Sequence, residues 1–241
     1  PPVFIFEPTL DNYKVLFDMS SAGSSNYGTI RINFFEPILN SIIISGGAVI
    51  VSLIIGIPAG YILARSNFKF KEDIGFFILG FRFAPLILVI IPMFYFFSIL
   101  GIKDTYFGMI WVYQVITLPM IIWLTRVYVE DIPIELEEAA FVEGANVFHV
   151  ISKIILPLLR PGLVGASLLV FLLAWHNFAL GLLLASKKAP VTVALLKLLN
   201  PGINFYPVMA CGLVISMIVP ILLIFLGQKH FVKGLTFGAV K

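Results

Sequence analysis

Chemistry in this chain has few places to come from. The one stretch where acidic residues crowd together runs from Tyr128 to Gly162, YVEDIPIELEEAAFVEGANVFHVISKIILPLLRPG, with six carboxylates at Glu130, Asp131, Glu135, Glu137, Glu138 and Glu143. The histidines His149, His176 and His230 lie far apart with no Cys or carboxylate at ligand spacing, which excludes a metal site of the usual kind. The single Cys211 sits in an apolar run and has no internal disulfide partner, so it reads as a small packing residue. No G-x-x-x-x-G-K-[ST] run occurs anywhere, so ATP chemistry, if the chain depends on it, must be supplied by a partner. A membrane-embedded enzyme would need convergent titratable groups inside its apolar segments, and only Arg82 and His176 qualify. The cargo of interest is therefore the acidic stretch and the segments that carry it.

Those segments belong to lipid. Of 241 residues 60% are hydrophobic and 12% charged, with a mean hydropathy of +1.04. A soluble domain carries about twice that charged share. The net charge of +3 is spread thinly between apolar runs and makes no clustered basic surface, so no nucleic-acid partner is expected. A hydrocarbon core of roughly 30 Å needs about 20 apolar residues per helix. Five stretches meet that, at about 38–64, 74–100, 106–125, 163–185 and 207–227. Pro58, Pro92 and Pro220 predict kinks rather than breaks. Gly46, Gly47 and Ala48, and the Gly56 to Gly60 spacing, permit close helix packing.

With the N-terminal segment outside, nine basic residues (Arg65, Lys69, Lys71, Arg126, Lys153, Arg160, Lys229, Lys233 and Lys241) fall in the cytosol. Six (Lys14, Arg31, Lys103, Lys187, Lys188 and Lys197) fall outside, and the excess favours this orientation. The C-terminus is then cytosolic, and a sixth span is expected upstream of Pro1. Residues 1–37 read as an external loop with a short helix near Asp11 to Phe17, 38–227 as the transmembrane domain, and 228–241 as a cytosolic tail. A second external loop is expected at 186–206, from Pro190, Asn200, Pro201, Gly202 and Asn204.

The acidic stretch, at 128–162, cannot be a span and falls in the cytosol. Asp131 can cap a helix starting near Pro133, with Glu135 and Glu137 at the positive end of its dipole. Gly144 suits a C-terminal cap with positive φ. Asn146 can cap a second helix to about Ile155, ended by Pro157 and Pro161. Two short helices should meet at a glycine elbow. By composition alone this is a solvated amphipathic hairpin. The spacing adds more: Glu138, Ala139, Ala140, Gly144, Ile154, Leu156 and Pro157 form E-A-A, three residues, G, nine residues, I-x-L-P.

That pattern resembles the cytosolic signature of the permease subunits of binding-protein-dependent ABC importers. The resemblance implies an all-α, polytopic helical membrane protein with the type I transmembrane domain of such importers, sited in the cell membrane. It further implies a homologous second permease, two ATPase subunits holding ATP and Mg, an extracytoplasmic solute-binding protein, and no cofactor on this chain. Glu138 would pair with a basic group on the ATPase, and Gly144 would be the elbow. Glu143 stands where the family usually has Asp and keeps the charge. Further stretches are similar to the carbohydrate branch, in the second permease of maltose-type and trehalose-type importers. They are Pro8, Thr9, Asn12 and Tyr13 (P-T-x-x-N-Y), Arg82 to Pro85 with Pro92, Gly101 to Thr105, and the tail Phe231 to Lys241. Trp175-His176-Asn177-Phe178 departs from the W-N-E-F or W-N-D-F of that family and leaves the sugar open.

The resemblance implies a sugar or sugar derivative moved inward by alternating access, with glycerol phosphate esters or polyols as the alternative cargo. A self-sufficient secondary transporter or channel is the competing class, and it gives the acidic loop no purpose. Candidate pathway residues are Arg82, Tyr113, Gln114, Trp175, His176 and Asn177, which put polar or aromatic groups into the spans. For Arg82 the alternative is a side chain reaching back to the interface, and for the others hydrogen bonds between helices of the same subunit.

Overall fold

A computed structural model of the chain describes residues 9–17, 33–199 and 206–236, with side chains to Gln228. Expectations resting on Pro8, Arg31, Asn200 to Asn204, Lys229, His230 and the tail side chains of 231–241 lie outside the described residues. Every regular element among those described is helical. The order is α1 (Asp11–Phe17), α2 (Phe35–Arg65), α3 (Lys71–Gly80), a 3₁₀ turn (Phe81–Phe83), α4 (Leu86–Ile99), α5 (Tyr106–Glu130), α6 (Glu135–Val142) and α7 (Val147–His149). A π turn (Val150–Ile155) follows, then α8 (Leu156–Trp175), α9 (Ala179–Leu184), α10 (Val191–Leu196) and α11 (Tyr206–Thr236). The short helix expected near Asp11 to Phe17 is α1.

Among the described residues four helices are long and apolar enough to cross a membrane: 35–65, 106–130, 147–175 and 206–228. The stretch read as one span over 74–100 is instead a bent pair, Lys71–Phe83 and Leu86–Ile99, turned by 90°. Five spans hold if this pair counts as one. The cause is local. Pro85 disfavours helical backbone in the residue before it, and Ala84 is extended at φ −61°, ψ 137°. Arg82 therefore sits at a corner rather than inside a continuous helix.

The fourth span also differs from its expected 163–185. Pro157 and Pro161 do not end a helix; α7, the π turn and α8 run on as one apolar rod over 147–175. The wider π turn lies immediately before Pro157, where a missing N–H needs a rearranged ladder. The rod stops at Trp175, because Asn177 folds back to accept a bond from the Leu180 N–H (3.1 Å) and starts α9 instead.

Helices α2 and α5 make the most extensive pairing. A Cβ on Gly47 would meet Ile110 at 2.5 Å, one on Gly56 would meet Ile121 at 2.6 Å, and one on Gly60 the backbone oxygen of Ile122 at 2.7 Å. These glycines bring the two backbones together. Their buried face carries polar side chains satisfied across the seam: Ser52 Oγ contacts Gln114 Oε1 (2.7 Å) and Thr117 Oγ1 (2.8 Å), and Gln114 Nε2 donates to Ala48 O (3.2 Å). Buried apolar clusters flank this pair. One involves α8 and α11 around Ile121, Val170 and Phe171, and another joins Val129, Val150, Ile155 and Leu159 at the end that carries α6.

Candidate functional site

The α6–α7 hairpin closes one end of the bundle. Asp131 does not cap its first helix, contrary to the expectation: it ends α5, its N–H donating to Val127 and Val129, and α6 begins after Ile134 without a side-chain cap. The elbow is as expected. Gly144 has φ +88°, a conformation that side chains strain to adopt. Its N–H donates to Phe141 O and that of Ala145 to Ala140 O, both at 3.0 Å, which is the glycine-terminated Schellman arrangement. Asn146 Oδ1 then accepts from the His149 N–H at 2.8 Å and starts α7.

The signature residues divide between two faces of the hairpin. Ala140 packs inward on Tyr61, Val129, Val150, Ile155, Leu159 and Leu163, with Ile154 against the same cluster. Glu138, Ala139, Glu143, Gly144, Leu156 and Pro157 face out. Among them stand apolar side chains with nothing over them, Val142 at 90% and Phe148 at 79% exposure. An outward face of two carboxylates set among Phe141, Val142 and Phe148 can seat in an apolar groove with a basic rim.

The hairpin's inner face contains an ion pair the sequence reading passed over. Glu137 is 2% exposed, accepting from Tyr61 Oη at its Oε2 and from Arg65 Nε at its Oε1, both at 2.6 Å. Arg65 Nη2 also donates to Ile132 O at 2.6 Å. A signal was present: Glu137 lies three residues before the inward Ala140, so helical spacing puts its carboxylate on the buried side. Tyr61 and Arg65 are likewise one turn apart on α2.

Of the six candidate pathway residues, the structure gathers three. Arg82, His176 and Asn177 line a cleft of about 190 Å³ whose walls include Val89, Val115, Ile116 and Leu173. The bend at Ala84 brings Arg82 there, its Nη1 lying 2.8 Å from Met120 Sδ. Gln114 is buried in the α2–α5 seam, bonded to Ser52 and to the Ala48 carbonyl within the subunit. Tyr113 is buried too, its hydroxyl donating to Asn177 O at 3.4 Å. Trp175 is 6% exposed and stacks on Phe171, away from the cleft.

At the opposite end of the bundle, Asp104 holds a loop. Its carboxylate accepts from the backbone N–H groups of Ser186 (2.8 Å), Lys187 (2.9 Å) and Lys188 (2.9 Å), pinning the segment between α9 and α10 to the turn before α5. Burial pulls its pKa up, but the three N–H donors outweigh this and hold it below the usual carboxylate value. The sign follows: the clamp is fully present above the ordinary carboxylate pKa of about 3.9 and is lost as pH falls through the depressed value. Asp104 has φ +59°, which Asn adopts as readily, so Asp104→Asn removes the charge without straining the backbone. The three amides should then exchange with deuterium roughly fivefold faster, reflecting a loss of about 1 kcal/mol; unchanged exchange would show that the charge does not hold the loop.

Residues 56–237 match the sequence profile of the family described as "Binding-protein-dependent transport system inner membrane component". The chain is 34% identical to the trehalose/maltose transport system permease protein MalG of Thermococcus litoralis, covering 100% of this chain and 84% of that protein. It is 32% identical to the trehalose transport system permease protein SugB of Mycobacterium tuberculosis, over 97% of this chain and 82% of that one. Among solved structures it is similar in fold to a bacterial ABC transporter involved in the import of the acidic polysaccharide alginate. That match has a TM-score of 0.67 and 24% identity, over 91% of this chain and 88% of the other.

Proposed function

The chain belongs to the family of binding-protein-dependent transport system inner membrane components, and on that premise we propose that it is the permease subunit of an ATP-driven importer for a sugar or sugar derivative. It is a multi-pass membrane protein by its family and its apolar helices. Its function is transport, as one half of a pathway completed by a homologous permease. Two ATPase subunits supply ATP and Mg chemistry, and an external binding protein delivers the solute. The hairpin then faces the cytosol, as does the C-terminus. Sugar as the cargo is supported by the likeness to the trehalose and trehalose/maltose permeases.

One observation carries the coupling role: a bundle made for lipid ends in a hairpin whose outer face presents Glu138 and Glu143 among bare apolar side chains. Glu138 pairs with a basic group on the ATPase while Phe141, Val142 and Phe148 fill its groove. ATP-driven closure of the ATPase pair moves the hairpin, and the helices swing to open the cleft at Arg82, His176 and Asn177 to alternate sides.

The test is co-purification of the tagged chain from its native membrane in mild detergent. An ATPase should elute with it, and ATP hydrolysis should rise with one sugar-loaded binding protein. A chain that elutes alone yet moves solute in liposomes without ATP would overturn the reading. Glu138→Lys reverses a charge on the docking face and should weaken ATPase binding by at least about tenfold, read as loss of ATPase from the eluate. Retention at the wild-type level would remove Glu138 from the docking contact.

A further inference from the structure

We infer that Glu137 is the residue through which movement of α6 enters the first long helix, α2, making it a positioning residue for transport. This rests on the coupling role proposed above for the hairpin. Helix α6 has eight residues, too few to hold its shape alone, so its orientation comes from what it touches. Its inward apolar contact, through Ala140, is non-directional and can slide. Glu137 cannot. Each of its oxygens is held by a different group on α2, Tyr61 and Arg65, one helical turn apart and both at 2.6 Å. Two fixed points set the rotation of α6 as well as its position.

Arg65 extends the joint, because its second nitrogen holds Ile132 O in the short link between α5 and α6. The guanidinium therefore ties the end of α2 to both ends of the force path. From α2 the movement passes into α5 through the close glycine contacts. The neighbouring α3 is tied separately, by Arg126 on α5 donating to both oxygens of Glu72 (2.7 and 2.8 Å). The Glu137 joint is thus a direct polar link between α6 and α2, and Glu138, its neighbour in sequence, faces the other way.

The experiment reconstitutes the complete importer with its binding protein in proteoliposomes and measures solute taken up per ATP hydrolysed. Glu137→Gln keeps the shape of the side chain and removes the charge. The complex is expected to assemble and hydrolyse ATP while the ratio falls roughly tenfold. Tyr61→Phe removes one of the two fixed points and leaves the ion pair, and its ratio is expected to fall about threefold. A purely structural role would lower uptake, hydrolysis and assembly together and leave the ratio unchanged; that result, in either variant, overturns the inference. Gly144→Asp serves as the control for the hairpin itself. If it loses the ratio while Glu137→Gln keeps it, only the Glu137 joint is wrong. If both keep it, the hairpin does not couple at all.

Discussion

Gly144→Asp is expected to lower solute uptake by at least about tenfold while leaving the chain in the membrane at its normal level. Gly144 has φ +88°, a left-handed conformation that glycine adopts freely and that Asp enters with less strain than most side chains, so the greater part of the effect comes from the new charge. No atom lies within 4 Å of where its Cβ would stand, so the substitution disturbs no packing. Strain and charge act together, because the new carboxylate would sit beside Glu143 on the docking face. Gly144→Asn has the same size and the same backbone tolerance without the charge, so its uptake should fall only about threefold. Uptake, surface-accessible protein and ATPase retention, measured together, check this. Wild-type uptake in the aspartate variant would end the elbow's part in transport.

The second large effect is on stability. Gly60→Ala puts a Cβ 2.7 Å from both Ile122 O and Thr125 Cβ, and the oxygen is backbone, so α2 and α5 must part. Overpacking of this kind costs about 1 to 3 kcal/mol. The buried bonds of the same seam, Ser52 with Gln114 and Thr117, lose their geometry with it. Gly46→Ala, on the same helix but with nothing within 4 Å of the new Cβ, should be neutral or stabilising by about 0.5 to 1 kcal/mol. Thermal unfolding of the two purified variants in one detergent should separate them in opposite directions. Equal midpoints would mean that the α2–α5 contact does not limit the fold.

Much of the fold was legible because its causes are local. Long apolar runs must be helices in lipid, since every backbone group has to be satisfied within the segment. The hairpin was legible for a similar reason: Gly144 and Asn146 each act on residues within four or five positions, through bonds the structure shows at 3.0 and 2.8 Å. The misplaced boundaries lie where local rules compete. Asp131 could have capped α6 but was taken up in closing α5, Pro157 is accommodated in the first turn of α8 after a π turn, and Pro85 broke a run that composition alone presents as continuous.

By itself, then, the sequence determined that this is a helical membrane protein with an acidic hairpin at a glycine elbow. Apolar content, periodicity and capping are properties of neighbouring residues. Only the tertiary structure decided which polar groups meet. Glu137 finds Arg65 across 72 positions of chain, and Asp104 finds the Ser186 amide across 82. Arg82 joins His176 and Asn177 at one cleft, while Gln114 is hydrogen-bonded across the α2–α5 seam and Trp175 stacks on Phe171. Such pairings depend on how two helices are set against each other, at approaches fixed by glycines and a 90° bend, and no window of sequence contains both partners.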